Sequence, residues 1–181
     1  YPYKPYATNG SSWITEFLTP LNNLSGKSFV LPAESQWEYA VRGGTATRYF
    51  WTDDESFNLN GSEMAYAWCM SNPIGWYGDV GTRLPNPFGL YDMTGNAREM
   101  CRDQWHIDYS GAPDDGTAWG DGYEVIRGGD YSAAPDQLRS ASRTAYASGA
   151  ARPVLELSAS NLEYIVINLS TGNWQEQTGI D

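Results

Sequence analysis

A chain of 181 residues that is 41% hydrophobic and 14% aromatic is long enough to bury its own core, so it is not a disordered tract and has no need of disulfides. Twenty-two acidic residues against 11 basic ones give a formal charge of −11, which would repel a phosphate backbone and excludes nucleic acid as an expected partner. The sequence holds no apolar run near the ~20 residues that a bilayer requires, so membrane insertion is not expected.

In chain order, residues 9–12 offer N-cap side chains, and Trp13, Ile14, Phe17, Leu18, Leu21 and Leu24 then recur at helical spacing until Gly26. The spacing predicts an amphipathic helix bent at Pro20. After an extended link over residues 28–31, Pro32 opens a second helix through Glu34, Trp37, Tyr39 and Val41, which Gly43 and Gly44 stop. Beyond residue 45, short aromatic pieces such as PIGWYGDVG alternate with Gly, Pro, Asn and Asp, the pattern of long loops and short strands. Strands are predicted at 124–128, 139–144 and 164–168, the last being the cleanest β-branched run. The whole chain is expected to form one domain, with residues 169–181 an unplaced C-terminal extension.

The thiols Cys69 and Cys101 fit no zinc spacing, and His106 is the sole histidine. Two separate buried thiols are at least as well supported as a disulfide, and neither a nucleophilic cysteine nor a basic His106 is expected. The acidic loop at Asp114, Asp115 and Asp121 reads as a solvated turn. A different pattern appears in NPFGLYDMTGNAREMC, residues 86–101. In a locally extended chain, residues two apart point the same way, so Gly95, Ala97 and Glu99 converge, with Asp92 across a Gly-Asn turn. Two carbonyls and two carboxylates would make half a cage for Ca²⁺, completed by water. Two solvated carboxylates beside a turn remain the alternative.

Four ordered blocks carry a resemblance: LPAESQWEYAVRGG (31–44), AWCMSN (67–72), VGTRLPNPFGLYDMTGNAREMC (80–101) and VIRGGDY (125–131). Together they resemble the formylglycine-generating-enzyme-like, or sulfatase-modifying-factor, domain. The resemblance implies an α+β, C-type-lectin-like fold, with two helices packed on a small antiparallel sheet and long irregular loops. It also implies that the GLYDMxGNxxE block is a calcium loop in which Asp92, Gly95, Ala97 and Glu99 hold structural Ca²⁺. Oxidase members carry a cysteine pair after the RGG block, where copper binds, but no cysteine lies between Asp130 and Arg143 here. Sulfoxide-synthase relatives need a histidine cluster that one histidine cannot supply. The usual GNxWEW reads GNAREM, placing Arg98 and Met100 where aromatics stand, and the closing Gly-Phe-Arg reads EYI at 163–165.

The segment after the RGG block, DYSAAPDQLRSASRTAYASGAA, is small and hydroxyl-bearing with isolated tyrosines, unlike a core and suited to an adaptable binding face, although a plain loop fits as well. The same scaffold resembles variable proteins diversified by retroelements in bacteria, archaea and their viruses, whose variable ligand-binding positions lie there. The resemblance implies a non-catalytic binding protein that is not an enzyme. Its recognition surface would comprise Asp130, Tyr131, Ser132, Ala133, Asp136, Gln137, Thr144, Tyr146 and Ser148. The expected partner is a protein or glycan on a cell or host surface, and the expected setting is extracellular, cell-surface or virion-associated. The rival classes are an oxidase relative with altered metal chemistry and an accessory structural domain.

Overall fold

The computed structural model of the chain describes residues 11–53, 62–72, 75–122 and 124–145, with side chains of the first helix from Phe17 onward. The N-cap at 9–10, the strand at 164–168, the EYI departure, the extension 169–181, Tyr146 and Ser148 lie outside the described residues. Two compact units divide the chain, and their described parts are residues 11–31 and 32–145.

In the first unit, helix α1 spans Ser11–Ser25 and contains Pro20. It ends as predicted at Gly26, whose φ is 67° and whose N–H donates to the Asn22 carbonyl at 2.9 Å. The Asn22 amide then clasps the link that follows: its Oδ1 accepts the Phe29 N–H at 2.6 Å, and its Nδ2 donates to the Phe29 carbonyl at 3.1 Å.

The second unit is built on helix α2, Glu34–Arg42, whose buried residues Glu34, Trp37, Ala40 and Val41 recur at helical spacing. Pro32 lies before the helix rather than in its first turn, because Ala33 is the extended N-cap. Alanine offers no side-chain cap. The orphan Glu34 N–H is instead taken at 2.6 Å by the buried Asp103 carboxylate, and Gln36 reaches back to the Ala33 N–H at 2.9 Å. At the other end, the buried Asn86 amide donates to the carbonyls of Ala40 (2.6 Å) and Val41 (3.1 Å) while its Oδ1 accepts the N–H groups of Phe88 and Leu90. The NPFGL turn thus closes the helix that Gly43 terminates.

Three short antiparallel strands form the sheet in the order β1 (Glu99–Met100), β2 (Val125–Arg127), β3 (Thr144–Ala145). Glu99 stands opposite Arg127 and Met100 opposite Ile126, while Ile126 in turn faces Thr144. The strand predicted at 139–144 is mostly something else. A 3-10 turn occupies Pro135–Leu138, a further turn follows, and only Thr144 of that range enters the sheet. Side-chain alternation puts Glu99 and Arg127 on the face that α2 covers, and Met100, Ile126 and Thr144 on the opposite face. Arg127, fully buried, ties sheet to helix by donating to Glu34 (2.7 Å), Glu38 (2.6 Å) and the Ser140 carbonyl (2.7 Å). Arg143 adds a second arginine on Glu34, at 2.8 and 2.6 Å.

Segment 130–145 is less bare of core than its composition implies. Ala133, Leu138 and Ser140 are buried, and Ala133 and Leu138 pack with Tyr49, Ala67 and Cys69. Small residues are used there for close approach.

Candidate functional site

The turn at Gly95 and Asn96 is the organising feature. Both residues have positive φ, 75° and 57°, so the chain is not extended there, and the alternation argued for Gly95 and Ala97 fails. Only glycine fits at 95, since a Cβ would stand 2.1 Å from the Trp68 carbonyl oxygen. Gly95 N–H donates to the Gly128 carbonyl (2.8 Å) and Asn96 N–H to the Trp68 carbonyl (2.7 Å). Asn96 then reaches two further segments. Its side-chain amide pairs with both the N–H (3.0 Å) and the carbonyl (3.2 Å) of Gly78, and its carbonyl accepts the Tyr131 N–H at 2.9 Å. One residue joins the calcium-loop candidate to the loop at 75–78 and to the start of the post-RGG segment.

The carboxylates flank this turn. Asp92, itself at φ 54°, accepts the Gly81 N–H on Oδ2 at 2.6 Å, while its Oδ1 is buried without a hydrogen-bond partner. Glu99 accepts the Trp37 indole N–H. Burial raises the Glu99 carboxyl to about 7 against the help of that hydrogen bond, and the nearby Asp92 charge adds to the rise. Burial raises Asp92 as well, against the Gly81 N–H and the Arg83 charge. A desolvated acidic pair with an orphaned oxygen is a donor set that suits a hard cation. Among the described residues no group of three or more His, Cys, Asp and Glu stands ready for a metal, so an ion here would need backbone carbonyls and water as well. Asp92 and Glu99 are the two side chains that could hold it, with Gly95 and Ala97 able to offer carbonyls alone.

The predicted recognition residues are placed unevenly. Asp130 is bound on both oxygens: Oδ1 accepts the Ser132 N–H (2.9 Å) and hydroxyl (2.7 Å), and Oδ2 pairs with Arg98 Nε at 2.8 Å. Ser132, Asp136, Gln137 and Thr144 are exposed. Ala133 is the exception at 2% exposure, so it is a core residue and not a projecting contact. It reaches the surface only as part of a cleft of about 90 Å³ lined by Arg98, Ile126, Gly129, Gln137, Ser142 and Thr144 among others, on the sheet face away from α2. Arg98, a departure from the family pattern, is the lip of that cleft, while Met100, the other, is buried.

Sequence reasoning missed Trp76 and Tyr77. With Tyr131 they form a cluster of three rings with centroids 4.5 to 5.7 Å apart, and Trp76 remains 62% exposed. Two adjacent aromatics in a glycine-bounded loop were the available signal. Gly78 seats this loop, since a Cβ there would lie 1.9 Å from the Trp68 indole.

Both cysteines are buried free thiols. Burial pushes the Cys69 thiol up, only partly offset by Ser71, and pushes Cys101 well above the ordinary thiol value. Such thiols are poor nucleophiles. His106 stacks on Trp119 at 3.6 Å with its Nε2 buried and unpartnered.

These features define a formylglycine-generating-enzyme-like domain of C-type-lectin-like fold. The chain belongs to the family of sulfatase-modifying factor enzyme 1-like domains, whose profile matches residues 4–155. It is similar in structure to PvdO from Pseudomonas aeruginosa, with a TM-score of 0.67 and 30% identity over 81% of this chain and 59% of that one. It is also similar to Treponema denticola variable protein 1, with a TM-score of 0.53 and 31% identity over 68% of this chain and 44% of that one. Among curated relatives, the formylglycine-generating enzyme of Mycobacterium tuberculosis is 40% identical over 42% of this chain, and the serine/threonine-protein kinase pkn1 of Chlamydia pneumoniae is 35% identical over 62%. The matches span only 27% and 18% of those two relatives.

Proposed function

We propose that this chain is a non-catalytic ligand-binding domain, of the type of retroelement-diversified variable proteins, that presents its post-RGG segment to a protein or glycan on a cell or host surface. The binding face comprises Asp130, Tyr131, Ser132, Asp136, Gln137 and Thr144 and has the Arg98-lined cleft within it, and Tyr146 and Ser148, which lie outside the described residues, are proposed ligand-binding positions as well. Its setting is extracellular, cell-surface or virion-associated. The observation that carries this reading is the treatment of thiols. Residues 130–143 hold none, Leu138 in that stretch is fully buried, and the only two thiols of the chain are buried with pKa values pushed up by desolvation. Copper-thiolate oxidation has no accessible thiolate to start from. Structural likeness to the Treponema variable protein supports the same reading. Ca²⁺, held by Asp92 and Glu99 with the Gly95 and Ala97 carbonyls, fixes the scaffold without touching ligand.

A second reading, an oxidase relative with altered metal chemistry, draws on the 40% identity to the mycobacterial formylglycine-generating enzyme. A third, an accessory domain within a longer protein, draws on the chlamydial kinases, of which the matched region is 18%. The deciding experiment pairs two assays on the whole chain. Labelled protein should bind target cells, and an Asp136→Ala/Thr144→Lys variant, which leaves the Gln137 cap on the Ala134 N–H in place, should lose that binding while remaining folded. Copper-loaded protein with a cysteine-containing peptide and oxygen should yield no aldehyde. Aldehyde formation would establish the oxidase reading instead.

A further inference from the structure

We infer that the aromatic ledge of Trp76, Tyr77 and Tyr131, bordered by the Arg98–Asp130 pair, is a subsite for a neutral pyranose sugar. This inference rests on the binding reading above and names the chemistry of its ligand.

The first ground is the ledge itself. Tyr77 and Tyr131 pack edge to face at 4.5 Å, and Trp76 leans on both at 5.4 and 5.7 Å. Most of the indole is nevertheless in water, at 62% exposure. The ledge is held rigid from behind, since the Asn96 amide grips Gly78 through both of its backbone groups and the Asn96 carbonyl holds the Tyr131 N–H. A stiff, exposed ring loses little entropy when something flat and weakly polar covers it. One face of a pyranose presents C–H groups in just that way, while its rim carries hydroxyls that need fixed donors and acceptors.

The second ground is the polar border. Asp130 follows Gly129 into the ledge residue Tyr131, and its carboxylate is oriented by Arg98 and by both groups of Ser132. Planar groups already locked in place can meet a sugar rim without further ordering cost. Arg98 also lines the cleft that holds Gln137, Ser142 and Thr144.

Charge then selects among flat ligands. Arg98 is compensated by Asp130, and the chain carries a formal charge of −11, so an acidic sugar or a nucleotide base on its phosphate backbone is repelled. A neutral sugar pays no such penalty.

The test is saturation-transfer NMR on the whole chain with the methyl glycosides of glucose, galactose, mannose and N-acetylglucosamine, and with sialic acid as the charged comparison. At least one neutral glycoside should receive saturation on its ring C–H protons, sialic acid should receive none, and Trp76→Ala should abolish the signal. Trp76→Phe should restore part of it, and because the indole is mostly exposed both variants should keep the parent's melting temperature. Absence of transfer to all four glycosides, or equal transfer in Trp76→Ala, overturns the proposal. Cells stripped of glycans separate the two levels. If labelled chain still binds them at full strength, the ligand is a protein and the sugar subsite is wrong while the binding reading stands; if binding is lost, the subsite is supported.

Discussion

At the residue scale, Gly95 and Asn96 carry more of the molecule than any catalytic group would. Gly95→Ala places a methyl group against a backbone oxygen at a positive φ, with no flexible side chain to yield. The expected cost is roughly 2 kcal/mol or more, read as a drop in urea midpoint. Glu99 gives a second prediction, with a sign that is easily mistaken. Its folded pKa of about 7 lies above the ordinary 4.5, so the native state holds its proton longer than the unfolded chain does. Below pH 4.5 the group contributes no difference, and stability then falls as pH rises to about 7, by ~3 kcal/mol in all. In chelator, thermal melts from pH 5 to 8 should show this decline, and Glu99→Gln should flatten it. Part of this was legible from sequence. The Gly-Asn dipeptide and its flanking acids mark a turn with chemistry in it, but nothing local says that Asn96 clamps a loop eighteen residues upstream.

At the element scale, α2 is readable at its C-terminal end because that boundary is local: helical apolar spacing up to Val41, then Gly43 at φ 55°. Its start was misjudged because the cap is remote, supplied by Asp103 sixty-nine residues away. The strand expected at 139–144 failed for a related reason. Arg139 and Arg143 look like strand residues on a polar face, yet Arg143 is drawn to Glu34 and the Trp105 ring, and Ser140 N–H bonds the Arg48 carbonyl, so long-range partners override propensity. The same network makes a prediction. Arg127→Met strips a fully buried cation from Glu34 and Glu38. Stranding a buried ion costs about 3–5 kcal/mol, and the lower end is expected here because Arg143 and Arg42 still hold the two glutamates. Chemical denaturation would read it, and restoring charge balance with Glu38→Gln in the same chain should recover part of the loss.

At the scale of the whole molecule, Asn96 joins the acidic turn to the 75–78 loop and to Tyr131, so on the proposed reading a cation at the turn would govern ligand binding without touching ligand. A cation between Asp92 and Glu99 would offset the desolvation that raises both carboxyls and the Asp92 charge that adds to the rise at Glu99, and only the folded state brings the two together. At a hundredfold excess over its dissociation constant, Ca²⁺ should stabilise by about 2.7 kcal/mol, which for a chain of this length raises the melting temperature by roughly 5–10 °C. Asp92→Asn and Glu99→Gln should each abolish the shift. Asn96→Ala separates the proposed ion site from the proposed binding face. Its Gly78 contacts vanish while Asp92 and Glu99 remain, so the variant should keep a Ca²⁺-dependent melting shift yet lose ligand binding as the aromatic loop comes free. A variant that kept full binding would mean that the 75–78 loop is held by something other than Asn96, and the coupling between ion and binding face would then be absent.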